Sequence, residues 1–219
     1  GNWSCPLVIR VPVGGYIHGS LYHSQSIDGY FAHTPGLKVV YPSNASDAKG
    51  LLKYACRCDD PVLFMEHKGI YRQGFASSME PDENYLLPFG KAKVVQEGND
   101  LTIVTWGAIV QKSVEASRNT GKSVEIIDIR TLNPLDIDTI LNSIKKTNRV
   151  IVAHEDHLTA GFGSEIAAQI SDIGFEFLDA PVKRVASKDV HVAYSPNLED
   201  EILVQTSWIE NEIKEILAY

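Results

Sequence analysis

His23 sits in a polar run, His23-Ser24-Gln25-Ser26, reached through the glycine-studded approach Gly14-Gly15-Tyr16-Ile17-His18-Gly19. An imidazole titrates near neutrality, so His23 could give or take a proton in a reaction. A histidine flanked by Ser and Gln could equally be a hydrogen-bonded loop residue with no chemistry, and spacing alone leaves both readings open. His154-Glu155-Asp156-His157 followed by Gly161-Phe162-Gly163 invites two further readings. A phosphate-binding turn at a helix N-terminus would use free N–H groups, but neither the GxGxxG nor the GxxxxGK[ST] spacing is present. A metal reading needs more than an i, i+3 His pair in a post-strand loop, so a structural turn is the better account. Cys56-Arg57-Cys58 is too tight for a zinc knuckle, and with Cys5 the thiols are odd in number. They read as reduced cysteines of an intracellular protein. Asp59 and Asp60 follow the end of a helical pattern, where unpaired carbonyls favour a cation.

The elements that must position these residues alternate between strand and helix. Cys5 to Val13 is a β-rich, nearly all-apolar run bounded by Pro6, Pro12 and Gly14-Gly15, the pattern of a strand covered on both faces. Leu37 to Tyr41 is a second strand, stopped by Pro42. Ala48, Leu51, Leu52, Ala55 and Cys56 recur at helical spacing behind cap candidates at 43–47, and Pro61 to Glu66 resumes as strand. Strand, helix and strand in so short a span make a βαβ unit and hence a parallel sheet. This first part supplies too few strands for a whole domain and reads as the second half of one, with the natural chain expected to start upstream of Gly1. The turn-rich stretch from Gly69 to Pro88 carries the domain boundary.

Beyond it, 93–95 and 101–105 flank Glu97-Gly98-Asn99-Asp100 as a hairpin-like turn, a helix follows Gly107, and Val124 to Ile129 is a strand. Ile137, Ile140, Leu141 and Ile144 mark a helix started by Asn133-Pro134-Leu135-Asp136. Arg149 to Ala153 is a buried strand, Ile166 to Ile170 a helix, 182–186 a short strand, and Ile209, Ile213, Ile216 and Leu217 a closing amphipathic helix. The whole is α/β.

Several long blocks carry a resemblance. GGYIHGSLYHSQS, YFAHTPGLKVVYPS, DAKGLLKYACRCDDPVLFMEHK, DLTIVTWGAIV, IIDIRTLNPLD, HEDHLTAGFGSEIA and LDAPVKRVAS, in this order, resemble the β subunit (E1 component) of the thiamin-diphosphate-dependent 2-oxo acid dehydrogenases. The branched-chain (2-oxoisovalerate) version fits best, and the resemblance covers nearly the whole chain. It implies the back half of a pyrimidine-binding, transketolase-like domain at 1–75, a linker at 76–88, and a transketolase C-terminal-like three-layer α/β/α domain at 89–219. It implies His23 as the catalytic residue beside the cofactor's thiazolium ring, assisting proton handling as the acyl group passes to lipoate.

The resemblance further implies thiamin diphosphate with magnesium, shared with an E1 α subunit or fused α region, a second β subunit, and a lipoyl-bearing E2 partner. The GDG…N segment that holds magnesium and diphosphate belongs to the α part, and the Glu that activates the aminopyrimidine to a β segment upstream of Gly1. These 219 residues are therefore expected to be inactive alone. A structural potassium ion is implied on Ala55, Cys58 and Asp60, completed by Cys5, Leu7 and Val8. Val8 stands where branched-chain members often carry Thr, which removes a hydroxyl ligand. The family places the 154–157 segment at subunit contacts. Pyruvate dehydrogenase E1 β is the alternative within the family; a transketolase or deoxyxylulose phosphate synthase is the alternative outside it.

Composition sets outer bounds. A chain of 219 residues, 44% hydrophobic and 22% charged, can bury a sizeable core in one large or two small domains. A net charge of −8 argues against nucleic acid as partner. No apolar run approaches the ~20 residues of a membrane span, and no signal peptide opens the chain. The expected compartment is the cytoplasm, or alternatively the mitochondrial matrix.

Overall fold

The computed structural model describes residues 3–219. Two α/β sheets make up the chain. The first half contributes β1 (Val8–Val13), α1 (Ser20–His23), α2 (Asp28–Ala32), β2 (Lys38–Val40), α3 (Ala45–Ala55) and β3 (Val62–His67). The second contributes β4 (Lys93–Gln96), β5 (Leu101–Thr105), α4 (Ile109–Thr120), β6 (Val124–Asp128), β7 (Thr131–Asn133), α5 (Ile137–Thr147), β8 (Val150–His157), α6 (Phe162–Ile173), β9 (Lys183–Ser187), α7 (Pro196–Ile202) and α8 (Thr206–Leu217).

The first sheet runs β1-β3-β2-β7, parallel except for β7. The last strand comes from the second half of the chain, so the two halves share a sheet. β1 is an edge strand, not one covered on both faces: Ile9 is 43% exposed and Arg10 points to solvent. An edge position also explains how Pro12 is tolerated, since it owes no ladder hydrogen bond on the open side. The helix α3 begins where Asn44 accepts a hydrogen bond from the Asp47 amide at 3.0 Å and packs Leu51 and Ala55 against Val40, Val62 and Phe64.

The second sheet runs β4-β6-β5-β8-β9, with β4 antiparallel and the others parallel. Strands β4 and β5 are not hairpin partners, although the Glu97–Asp100 turn suggested it; β6 lies between them. A side chain at Gly98 would strike the Val124 carbonyl carbon at 2.1 Å, so the turn residue lies flat on the intruding strand instead of closing a hairpin. Helices cover both faces. Ile109 and Ala116 of α4 and Ile209, Ile213 and Ile216 of α8 pack on one side, Ile140, Ile144, Ile166 and Ile170 of α5 and α6 on the other. That second core is continuous with Val13, Val39, Tyr41, Leu63 and Met65 of the first sheet, which fuses the halves. No helix among the described residues is long and apolar enough to cross a membrane.

The segment His154–His157 is not a post-strand loop. It is the end of β8, and His154, Glu155 and Asp156 are buried. The charged run broke the apolar pattern, but the strand continues because its polar side chains find partners, Glu155 and Asp156 in the first half of the chain, His154 on the Trp106 ring and His157 at the Lys188 carbonyl.

Candidate active site

The loop between β1 and α2 is built under backbone strain. Tyr16, His18 and Ser20 have φ of 59°, 56° and 58°, a left-handed conformation that costs non-glycine residues on the order of 1–3 kcal/mol each. Gly14 enters the loop at φ 86°, where an added Cβ would lie 2.3 Å from the His67 ring, so only glycine serves there. The neck is closed by Gly14 N–H donating to the Gln25 carbonyl at 3.1 Å.

What holds this loop is a set of carboxylates from the second half. Oε1 of Glu155 accepts from the Gly15 amide at 2.6 Å and from the Ser26 hydroxyl at 3.1 Å, so one oxygen grips both ends of the loop. Oε2 meets Nε2 of His67, at the end of β3, at 2.5 Å. The Gly69 amide donates to Nδ1 of that ring at 3.1 Å, which leaves the proton on Nε2 to be given to Glu155. Tyr16 and Tyr41 stack on the His67 ring at centroid distances of 6.0 and 6.4 Å. Burial pushes the Glu155 carboxyl up, but the His67 ring and the Gly15 and Ser26 donors outweigh it and hold the group below the usual carboxylate range.

At the loop's tip, Glu199 of α7 accepts from the His18 amide and meets His18 Nδ1 at 2.7 Å, while the Tyr16 hydroxyl donates to the Val204 carbonyl at 2.8 Å. Behind the loop, Trp106 Nε1 donates to Asp28 at 2.5 Å and the Gly29 amide to Asp156 at 3.1 Å. Asp28 is fully buried against Asp156. Burial first, and then the neighbouring Asp156 charge, push the Asp28 carboxyl well above the ordinary range. The imidazole of His154 lies parallel to Trp106 at 5.2 Å with both ring nitrogens unpartnered among the described residues, and burial drives it down to about 3.

His23 ends α1 with its side chain exposed, packed at Cβ over Gly19, with no hydrogen bond to its ring among the described residues. Two residues on, Gln25 Nε2 is buried without an acceptor among the described residues. An accessible imidazole on a loop anchored at its ends and tip suits the polar edge of an organic cofactor.

The structure also brings the potassium candidates together. Cys5 N–H donates to the Asp59 carbonyl at 2.8 Å, which sets the approach to β1 against the end of α3. The carbonyls of Cys5, Leu7 and Ala55 each accept one amide, at 2.7, 2.8 and 3.1 Å, and keep a second lone pair. Val8 opens β1, Cys58 donates its amide to Ala55, and the Asp60 carboxylate lies 3.5 Å from Lys38 Nζ. No group of three or more His, Cys, Asp or Glu among the described residues is arranged to hold a metal ion.

From sequence alone His67 goes unnoticed, and Glu155 enters only within a phosphate-turn, metal or subunit-contact reading, not as an anchor of the His23 loop. His67 closes an apolar strand run and Glu155 sits in a cluster of charges that looks like a solvated loop. The available signal was period-two continuation of β8 past Ala153.

The family described as Transketolase, pyrimidine binding domain matches residues 1–73, and Transketolase, C-terminal domain matches residues 90–209. The 2-oxoisovalerate dehydrogenase subunit beta of Bacillus subtilis (strain 168) is 43% identical over 222 residues, covering 100% of this chain and 67% of the relative. The pyruvate dehydrogenase E1 component subunit beta of the same organism is 42% identical, covering 99% and 65%. A mitochondrial pyruvate dehydrogenase E1 component subunit beta of Dictyostelium discoideum is also 42% identical, covering 96% and 60%. The chain thus spans 60–67% of the length of these relatives. A solved structure titled split gene transketolase, inactive beta4 tetramer, aligns at a TM-score of 0.78 with 21% identity over 98% of this chain and 67% of that one, which establishes a shared fold.

Proposed function

This chain belongs to the family of thiamin-diphosphate-dependent 2-oxo acid dehydrogenase E1 β subunits, and from that premise we propose that it takes part in oxidative decarboxylation of a 2-oxo acid with acyl transfer to a lipoyl-bearing E2 partner. The observation that carries the proposal is His23: an exposed imidazole on a strained loop whose ends and tip are fixed by Glu155 and Glu199. Thiamin diphosphate, when bound, supplies the nucleophilic carbon and the electron sink for loss of carbon dioxide. His23 handles the proton that moves as the acyl group reaches the lipoyl sulfur. The anchoring of the loop by Glu155 and Glu199 keeps that imidazole aimed without reorganisation during the reaction.

Magnesium is assigned to an α partner, where the family resemblance implies the GDG…N segment that holds it. A second β subunit completes the proposed assembly. The chain is read as two units, 1–75 and 89–219, joined through 76–88, where no strand or helix longer than a single turn forms. Potassium on Cys5, Leu7, Val8, Ala55, Cys58 and Asp60 is part of the proposal, supported by the convergence of β1 and the end of α3. A melting temperature raised by potassium chloride and not by lithium chloride is expected; coincident melts remove the ion. The substrate is taken as branched-chain, with pyruvate as the second reading because the two relatives differ by one point of identity, 43% against 42%. The compartment is taken as cytoplasmic, with the mitochondrial matrix as the alternative that the Dictyostelium relative supports.

The test is calorimetric titration of thiamin diphosphate and magnesium into this chain alone and into the upstream-extended chain assembled with an α partner, followed by acyl transfer from 3-methyl-2-oxobutanoate and from pyruvate. No binding alone, binding in the assembly, and loss of acyl transfer in His23→Gln are expected. Tight stoichiometric binding to the lone chain, or full acyl transfer by His23→Gln, overturns the proposal.

A further inference from the structure

We propose that Glu155 is the positioning residue of the His23 loop: a carboxylate on β8 of the second half of the chain that fixes the imidazole through Gly15 and Ser26 while its other oxygen is held by His67. The inference rests on the reading of His23 given above. The loop leaves and returns at Gly15 and Ser26, and both donate to the same oxygen, Oε1, at 2.6 and 3.1 Å. Between them lie three left-handed non-glycine residues, Tyr16, His18 and Ser20, so the loop has reason to relax once its base is released. His67 orients the carboxylate in turn, since its Nδ1 is committed to the Gly69 amide and its Nε2 proton points at Oε2.

This wiring makes a charge-removing change informative. In Glu155→Gln, Oε1 can still accept from Gly15 and Ser26, but the amide NH2 then faces the His67 Nε2 proton. If His67 takes the other tautomer to relieve that clash, its Nδ1 proton meets the Gly69 amide instead. Either way one buried donor is turned on another. The loop keeps its shape in outline and loses its fixed base.

The experiment uses the upstream-extended chain assembled with its α partner. Glu155→Gln is expected to lower kcat for acyl transfer about tenfold to a hundredfold, the size of effect produced by displacing a reacting group by about 1 Å, with KM for the 2-oxo acid within about twofold. Amide hydrogen exchange across residues 14–26 is expected to accelerate while that of β5 and β8 stays slow. Ser26→Ala, which removes one donor and leaves the carboxylate and His67 intact, should move both readouts the same way and less far. Unchanged kcat and exchange in Glu155→Gln overturn the inference. So does a loss of rate that merely tracks loss of folded protein or accelerates exchange throughout the sheet. His23→Gln in parallel separates the two claims: if it abolishes transfer while Glu155→Gln does not lower it, the positioning role fails and the reading of His23 stands. If neither variant loses transfer, the reading of His23 itself has failed.

Discussion

The guanidinium of Arg130 forks onto the carboxylate of Asp47, with Nε 2.9 Å from Oδ2 and a terminal nitrogen 3.0 Å from Oδ1, and both side chains are buried. The pair joins the first turn of α3 to the turn between β6 and β7, the point where the second half of the chain lends a strand to the first sheet. Arg130 also accepts the Tyr41 amide on its carbonyl at 2.8 Å and is itself left-handed at φ 60°. Removing one partner strands the other as a buried charge. Arg130→Met is expected to cost about 3–5 kcal/mol in urea unfolding, whereas Asp47→Leu with Arg130→Met should cost less than the sum of the single changes. Additive losses would show that the pair carries no coupling.

Two residues away, Asp128 accepts from the Ser43 hydroxyl at 2.5 Å and from the Arg130 amide at 3.0 Å, yet burial, with Asp47 nearby, pushes its carboxyl up to about 6. Its folded value exceeds the ordinary 3.8, so the folded chain keeps a proton that the unfolded chain releases. The resulting stabilisation is fully present below about pH 4 and is lost as pH rises through about 6. Asp128→Asn is expected to gain on the natural chain by about 2 kcal/mol between pH 4 and pH 7. Urea midpoints recorded against pH measure it; parallel curves for the two proteins would refute it.

Gly14 offers a narrower test of the loop entrance. Its φ of 86° and the His67 ring 2.3 Å from any added Cβ leave no room for alanine. Gly14→Ala is expected to destabilise by more than the ~1 kcal/mol of a left-handed alanine alone, because His67 must leave Glu155. A loss confined to that backbone cost would mean the ring shifts freely.

Local signals carried much of the fold. Asn44 and Asp136 cap α3 and α5, each accepting an amide three residues on, and the apolar spacing of both helices points at the core they reach. His23 stood out because a polar run interrupts glycine-rich and apolar chain. The features that failed are those set by partners distant in sequence. The β4–β5 hairpin failed because β6 pairs with both strands, and β1 was read as covered although apolar content cannot show which strand lies at an edge. α7 was missed altogether, a single Pro-started stretch of 7 residues whose purpose is to present Glu199 to His18. Glu155 is the sharpest case: a charge in a charged run looks solvated until 140 residues of separation from Gly15 are closed by the fold.

His154 tests the buried end of β8 by acid. Its ring lies 5.2 Å from Trp106 at an interplanar angle of 3°, and burial, helped by Arg184 and His157, lowers it from 6.5 to about 3. The folded chain therefore keeps His154 neutral while the unfolded chain protonates it below about 6.5. Stability from this site is whole above that value and falls as pH drops towards about 3. Between pH 7 and pH 5 the loss amounts to about 2 kcal/mol. His154→Phe keeps a flat ring on Trp106 and has nothing to protonate. Crowding by the larger ring against Gly161 and Gly163 subtracts the same amount at every pH, so the comparison rests on slope and not on absolute stability. The natural chain should lose about 2 kcal/mol more than His154→Phe over that interval in urea titrations. Equal slopes would mean that the histidine gains a proton, and a partner for it, inside the folded chain.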